Sequence, residues 1–240
     1  MTASIWPLCV LLTLQAASPA EVAPGPHLRQ ALQNYSDALA RTRWHGDDGS
    51  LSVLYHRALD LDVDLHPELV DEIKDFTARA SKQQVDALAA TLIGVVREEH
   101  HLVPDLQFFE GRARRFKAEE SRRYFAVVRE LYPSKFGVPA YRQGQCVRLG
   151  DGKALDLYLK LDRTQEWVPH YRELIVADKR RILAALRDGC VCGDRTKALD
   201  ELKRFAKALP KDAGVAELAD YAQALERGGG EVRFGCPSGG

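Results

Sequence analysis

The chain has 240 residues, of which 45% are hydrophobic and 28% are charged, so it has enough apolar side chains for a core of normal size and is not a wholly disordered chain. Its 34 Lys and Arg residues balance 34 Asp and Glu residues, which gives a formal net charge of zero. This balance excludes a protein that binds nucleic acid, or an anionic membrane surface, through a general excess of cations.

The first twenty residues have the composition of an export signal. The segment from Ile5 to Ala17 is almost entirely apolar, and Ser18 and Ala20 are small residues at the two positions that a signal peptidase reads. The apolar run is shorter than the roughly 20 residues that a membrane-spanning helix needs. We therefore expect residues 1–20 to be a signal peptide cleaved after Ala20, and the mature chain to be secreted or periplasmic with no membrane span. The alternative is an uncleaved anchor or a buried N-terminal helix.

Four cysteines remain after this cleavage, and an even number in an oxidising compartment predicts two disulfides. They are Cys146, Cys190, Cys192 and Cys236. Cys190 and Cys192 are poor partners for each other, because one residue separates them and their Cβ atoms tend to diverge. Two pairings remain, in which Cys146 bonds to one of these two and Cys236 bonds to the other. The alternative for the Cys-Val-Cys segment is a metal or redox site.

Apolar residues that recur every three or four positions predict four helices in the N-terminal part of the chain. The first helix begins near His27, and the second runs from Ser50 to about Leu61. The third runs from Pro67 to Ala80, and the fourth runs from Ser81 through Glu99. Ser81 and Gln84 have the spacing of a capping box at the start of the fourth helix. Pro104 ends that helix.

The clearest helix extends from its N-cap Asp105 to Leu131, with a continuous apolar stripe along one side. The stripe consists of Phe109, Ala113, Phe116, Glu120, Tyr124, Val127 and Leu131. Glu120 is its only charged member, so we expect this carboxyl group to face the core. There it is either paired with an arginine of another helix or a functional buried acid.

The same helix carries a basic surface. The surface includes Arg112, Arg115, Arg122 and Arg123. Glutamates interleaved with these arginines predict a solvated face with ion pairs between residues four positions apart. The alternative is a docking surface for an acidic partner.

The hydrophobic period changes from 3.6 to 2 near residue 145. Cys146–Leu149 and Leu155–Asp162 alternate on either side of Gly150-Asp151-Gly152, which predicts a β-hairpin that packs on the helices. Helical spacing returns afterwards, with one apolar face that includes Trp167, Tyr171, Leu174, Ile182 and Leu186. Two more helices are predicted from Asp194 to Phe205 and from about Ala213 to Arg227.

The densest group of potential metal ligands includes Glu98 and His101. Three positions apart on a helix, these side chains lie on one face, as in the Glu-x-x-His motif of di-iron bundles. The sequence contains no second copy of the motif, so the alternative is a polar helix end with histidines near the negative end of the helix dipole. The chain contains no recognised catalytic motif, and we predict no cofactor.

Together these patterns predict a mainly α protein, a multi-helix bundle or helical array with one small β-hairpin near residues 145–162 and a disulfide-stapled C-terminal half. Residues 21–138 form an N-terminal helical region and residues 139–240 contain the hairpin, further helices and the disulfides, in one domain or two packed halves. We expect an exported binding or interaction protein of the cell envelope or extracellular space, whose partner is another protein or an envelope component. The alternative is a small exported hydrolase or metal-dependent enzyme that uses Glu98, His101 and Glu120.

Overall fold

The computed structural model is mainly helical, as predicted. It describes residues 22–44, 46–61, 66, 68–98, 101–133, 138–143, 146–188, 190–192, 194–209 and 213–227. The helices are α1 (Pro26–Trp44), α2 (Asp48–Leu59), α3 (Glu68–Arg79), α4 (Lys82–Thr91), α5 (Leu106–Phe116), α6 (Glu119–Leu131), α7 (Lys153–Gln165), α8 (Arg172–Asp188), α9 (Arg195–Ala208) and α10 (Ala213–Glu226). The strands are β1 (Val95–Glu98), β2 (His101–Pro104), β3 (Arg142–Gln143), β4 (Cys146–Arg148) and β5 (Cys190–Cys192), and a 3₁₀ helix covers Pro169–Tyr171.

The predicted signal peptide and Cys236 lie outside the described residues. Within those residues, every helix is too short or too polar to cross a bilayer.

Local capping explains several helix starts. Asp47 caps α2 by accepting a 2.7 Å hydrogen bond from the Ser50 backbone N–H. The predicted capping box at α4 is confirmed, because the Ser81 N–H donates to Gln84 Oε1 at 2.9 Å and the Gln84 N–H donates to Ser81 Oγ at 3.3 Å. Asp105 caps α5 through the Gln107 N–H.

The helix predicted to run through Glu99 is wrong beyond Thr91. The chain turns at Gly94, whose φ of +92° suits glycine, and then forms an antiparallel hairpin of β1 and β2. Val95 and Val96 in β1 and Val103 in β2 are β-branched residues that favour strands. The structure therefore contains a hairpin in the N-terminal region that the periodicity did not predict.

The single helix predicted from Asp105 to Leu131 is also wrong, because it is two helices. Lys117 ends α5 in the left-handed conformation, with a φ of 56°. Asp48 of α2 then caps the new helix α6, since its Oδ1 accepts hydrogen bonds from Ser121 N at 2.7 Å and Ser121 Oγ at 2.6 Å. A contact from a distant helix therefore supplies the cap that the local sequence lacks.

The bend rotates the buried face of α6. Its buried residues are Ser121, Tyr124, Phe125, Val128 and Leu131. Glu120 lies beside this face and is partly exposed.

The predicted hairpin near residues 145–162 is correct in its first arm and wrong in its second. β4 pairs antiparallel with β3 and parallel with β5, whereas the residues after the turn form α7. Residues 153–162 include no Val, Ile or Thr and are rich in leucine, which favours a helix. Gly150 and Gly152 have φ values of +96° and +77°, so the Asp-Gly segment forms a strand-to-helix turn rather than a hairpin turn.

A disulfide joins Cys146 and Cys192, with Cα atoms 5.6 Å apart, and is one of the two predicted pairings. It connects β4 to β5, which lies beside it in the sheet. The remaining predicted bridge, between Cys190 and Cys236, involves a residue outside the described part of the chain.

One hydrophobic cluster includes buried residues from both the N-terminal and C-terminal helices. Its aromatic part joins α2, α5, α6 and the 3₁₀ helix, and consists of Tyr55, Phe109, Tyr124, Phe125 and Tyr171. Tyr124 and Tyr171 stack with ring centroids 4.3 Å apart. This packing fixes the segment after α7 against the start of α6, where the candidate site lies.

Candidate functional site

The four arginines of the predicted basic surface lie on two helices. Arg112 and Arg115 belong to α5, and Arg122 and Arg123 belong to α6 beyond the bend at Lys117. The two pairs therefore have different surroundings.

On α5 the arginines lie among aromatic rings. The Arg112 guanidinium is 5.2 Å from the centre of the Phe108 ring and 5.7 Å from that of Phe116. The Arg115 guanidinium is 6.0 Å from the Phe116 ring. These positions share one face of the helix, and cation–π attraction holds the guanidinium groups over the rings.

This group also concentrates positive charge. Burial, followed by the nearby cations Arg115 and Arg43, lowers the pKa of Arg112 below its ordinary value. Among the ion pairs between described residues, none includes Arg43, Arg112 or Arg115. We call Arg43, Arg112, Arg115, Phe108 and Phe116 the basic patch.

On α6 the arginines have carboxylate partners. Arg122 Nη1 is 3.2 Å from Glu119 Oε2, and Arg123 Nε is 3.1 Å from Glu119 Oε1. They form the ion-paired, solvated face that the interleaved glutamates suggest.

Glu120 lies in the first turn of α6 and contacts a histidine rather than an arginine. Its Oε2 accepts hydrogen bonds from the His170 backbone N–H at 3.2 Å and from His170 Nδ1 at 3.0 Å. The side chains of Glu120 and His170 are 22% and 51% exposed, so the pair lies at the surface. The expectation that Glu120 faces the core is wrong, because the bend after α5 rotates α6.

A buried polar chain lies beneath this pair. Ser121 Oγ is 2.6 Å from Asp48 Oδ1 and 2.8 Å from the Tyr171 hydroxyl. Burial raises the pKa of Tyr171 above its ordinary value. Ser121 is fully buried and its hydroxyl group is bonded on both sides, so this chain joins α2, α6 and the 3₁₀ helix rather than presenting a nucleophile.

The expectation that Glu98 and His101 share one face of a helix is wrong. They are cross-strand partners in the β1–β2 hairpin. The described part of the chain contains no group of three His, Cys, Asp or Glu side chains that could hold a metal ion. A metal site at Glu98 and His101 stays a prediction.

Trp167 was predicted to belong to a buried helical stripe, but it is 63% exposed. Helix α7 ends at Gln165, and Trp167 lies in the turn before the 3₁₀ helix, where the Arg123 guanidinium is 5.5 Å from its ring.

The burial of two carboxyl groups, those of Asp178 and Glu201, was not predicted from the sequence. Each lies among other charged residues in a helical segment, so its spacing does not distinguish it from an exposed acid.

No protein-family model, curated protein or solved structure matches this chain.

Proposed function

We propose that this protein is a non-enzymatic binding protein that docks an acidic segment of a partner protein on the basic patch. The observation that carries the proposal is the crowding of Arg43, Arg112 and Arg115, which have no carboxylate partner among the described ion pairs. Such crowding is unfavourable in the free protein, and a partner's carboxylates would relieve it.

The aromatic rings make this patch suited to recognition. Phe108 and Phe116 hold the guanidinium of Arg112 between them, which reduces the side-chain entropy lost when a ligand binds. A guanidinium group also binds a carboxylate through two parallel hydrogen bonds, and its flat face packs on aromatic rings. Arginine and aromatic residues together are typical of the residues that dominate binding energy at protein interfaces.

The cell envelope or extracellular space stays the proposed location. The composition of residues 1–20 supports export, and the disulfide between Cys146 and Cys192 supports an oxidising compartment.

The enzymatic alternative has weaker support. The pairing of Glu120 with His170 orients an imidazole ring, as a general base requires. The hydroxyl group that bonds directly to this pair is that of Ser52, which is buried and donates to the His170 backbone carbonyl at 2.6 Å, so it is already engaged. Stoichiometric zinc, iron or manganese in the purified protein would instead favour a metal-dependent enzyme with Glu98 and His101.

The docking proposal is tested by fluorescence anisotropy with a labelled oligoglutamate peptide, and with an oligoglutamine peptide as the uncharged control. We expect the double variant R112E/R115E to bind the acidic peptide at least about tenfold more weakly than the wild type, since each lost charge-assisted bond contributes roughly 1.5 kcal/mol or more. Affinity for the wild type should also fall as salt increases.

The matched control is R122E/R123E, which makes the same charge change on the neighbouring helix at arginines that are already paired with Glu119. We expect the control to lose much less affinity than the α5 variant. Equal losses in both double variants would show that only net charge matters and would reject the basic patch as the docking site. Tighter binding to anionic lipid vesicles than to the peptide would reject a protein partner.

A further inference from the structure

The segment that follows α7 presents an indole ring to solvent on a rigid support. Trp167 is 63% exposed, and Arg123 of α6 lies over its ring at 5.5 Å. The flanking residues Val168 and Tyr171 are fully buried, and Tyr171 stacks on Tyr124. The exposed ring is therefore held by a packed segment, so a ligand that contacts it orders little additional chain.

An imidazole ring lies beside this indole. Glu120 and Arg123 are three positions apart on α6, which places their side chains on one side of its first turn. Glu120 contacts His170 and Arg123 contacts Trp167, so both rings are held by the same turn of α6. We call Trp167, His170, Glu120, Arg123 and Gly49 the Trp167 platform.

Hydrogen bonding fixes the orientation of the imidazole. A carboxylate can only accept, so Nδ1 of His170 carries the proton in its 3.0 Å bond to Glu120. In the neutral ring Nε2 is then an acceptor. This atom lies by the start of α2, within van der Waals reach of Gly49, and the His170 side chain is 51% exposed, so a ligand can approach the ring.

The charges on and beside the platform balance while His170 is neutral. The first turn of α6 carries two carboxylates, Glu119 and Glu120, and the two guanidinium groups of Arg122 and Arg123 lie next to them. The platform therefore lacks the uncompensated charge that distinguishes the basic patch, and it favours a ligand that is neutral but rich in hydroxyl groups. A pyranose ring has these properties, because its C–H face packs against an aromatic face and its hydroxyl groups donate to acceptors such as Nε2.

We infer that the Trp167 platform is a binding site for a neutral oligosaccharide. The indole face that Arg123 does not cover supports one face of a sugar ring, and His170 Nε2 accepts a hydrogen bond from a hydroxyl group of that sugar. This site is separate from the basic patch and does not depend on the acidic partner proposed for it.

The inference is tested by titrating the full chain with four neutral hexasaccharides, built from α-linked glucose, β-linked glucose, xylose and N-acetylglucosamine, while tryptophan fluorescence is recorded. We expect at least one of them to change the fluorescence with a Kd of roughly 0.1 to 1 mM, an ordinary range for a small exposed site. W167A should abolish the change. W44F, which removes a different tryptophan, should retain it.

A second variant separates recognition from folding. H170A should weaken binding by about threefold to tenfold, as expected for one lost hydrogen bond. Circular dichroism of W167A and H170A establishes that both variants are folded.

The absence of a response to all four hexasaccharides, or a response that persists in W167A, would overturn the inference. Preference for an anionic hexagalacturonate that is lost in R112E/R115E would assign sugar binding to the basic patch and would also overturn it. Failure of the oligoglutamate experiment leaves these outcomes unaffected, because the two sites share no residue.

Discussion

Two buried carboxyl groups in this protein are accommodated in different ways. Glu201 of α9 is 2% exposed, and its hydrogen bonds to described residues all come from backbone N–H groups, those of Gly150, Gly152 and Leu155. Asp178 of α8 is 3% exposed and is held by side chains.

The side chains around Asp178 compensate only partly for the burial of its negative charge. Its Oδ1 accepts from Arg181 Nη1 at 2.8 Å and from the Tyr132 hydroxyl at 3.2 Å. Burial raises the pKa of Asp178 to about 6, although Arg181 and the Tyr132 hydrogen bond act in the opposite direction. Arg181 is itself 40% exposed, so water weakens its effect on the carboxylate.

The comparison shows that equal burial does not imply an equal role. Glu201 fixes backbone geometry, since two of its donors, Gly150 and Gly152, lie in the turn after β4 and the third, Leu155, lies in the first turn of α7. Asp178 instead joins the end of α6 to α8 through the side chains of Tyr132 and Arg181, and its own charge changes near pH 6. Glu201 should therefore determine whether the region folds, and Asp178 how stability depends on pH.

The largest expected effect on stability comes from removing the disulfide that joins β4 to β5, next to the turn that Glu201 holds. C146S/C192S removes a bridge between residues 46 positions apart, and we expect a loss of about 4 kcal/mol in the free energy of unfolding by the chain-entropy model. Urea denaturation of the non-reduced proteins measures this loss. Peptide mapping of the wild type should show Cys190 linked to Cys236, and a bond from Cys146 to Cys190 would contradict the structure.

The next effect concerns Glu201 itself. E201A leaves three N–H groups without their acceptor, and we expect a loss of about 3 kcal/mol, since each unsatisfied buried donor costs roughly 1 kcal/mol or more. E201Q keeps one acceptor oxygen and should lose less. Urea denaturation measures both changes.

The matched control is D200A, which removes an exposed carboxylate at the adjacent position of the same helix. We expect a change within about 0.5 kcal/mol for this surface substitution. If E201A were no more destabilising than D200A, the buried carboxylate would not hold the turn.

Local signals predicted much of the helical fold. The capping box of Ser81 and Gln84 and the N-cap Asp105 occupy the predicted positions, because the groups that make these contacts are neighbours in the sequence. Lys117 gave no such signal. The break there depends on Asp48, which is 73 residues from the Ser121 that it caps, and no periodicity reveals that contact.

The same limit applied to the candidate sites. Glu120 stands out in the sequence as the charged member of the stripe, but its partner His170 is 50 residues away and could not be inferred from spacing. Trp167 fits a helical stripe in the sequence, yet α7 ends two residues earlier and the indole is left in solvent. Arg112 and Arg123 were grouped together because the bend between their helices was not predicted.

The smallest effect, and the one that defines the difference between the two acids, concerns Asp178. Its pKa in the folded protein, about 6, lies above its ordinary value of 3.8, so the folded state binds the proton more tightly. Between about pH 4 and 6 this group therefore makes the protein less stable as pH rises, by about 2 kcal/mol in total. D178N resembles the protonated acid and should match the wild type near pH 4.

At pH 7 we expect D178N to be more stable than the wild type by a similar amount, as measured by urea denaturation across this pH range. Y132F removes a hydrogen bond that lowers the pKa of Asp178, so it should extend the wild-type decline to higher pH. A constant stability difference between D178N and the wild type from pH 4 to 7 would mean that Asp178 titrates alike in the folded and unfolded chains. Arg181 and Tyr132 would then compensate fully for the burial of the Asp178 carboxylate.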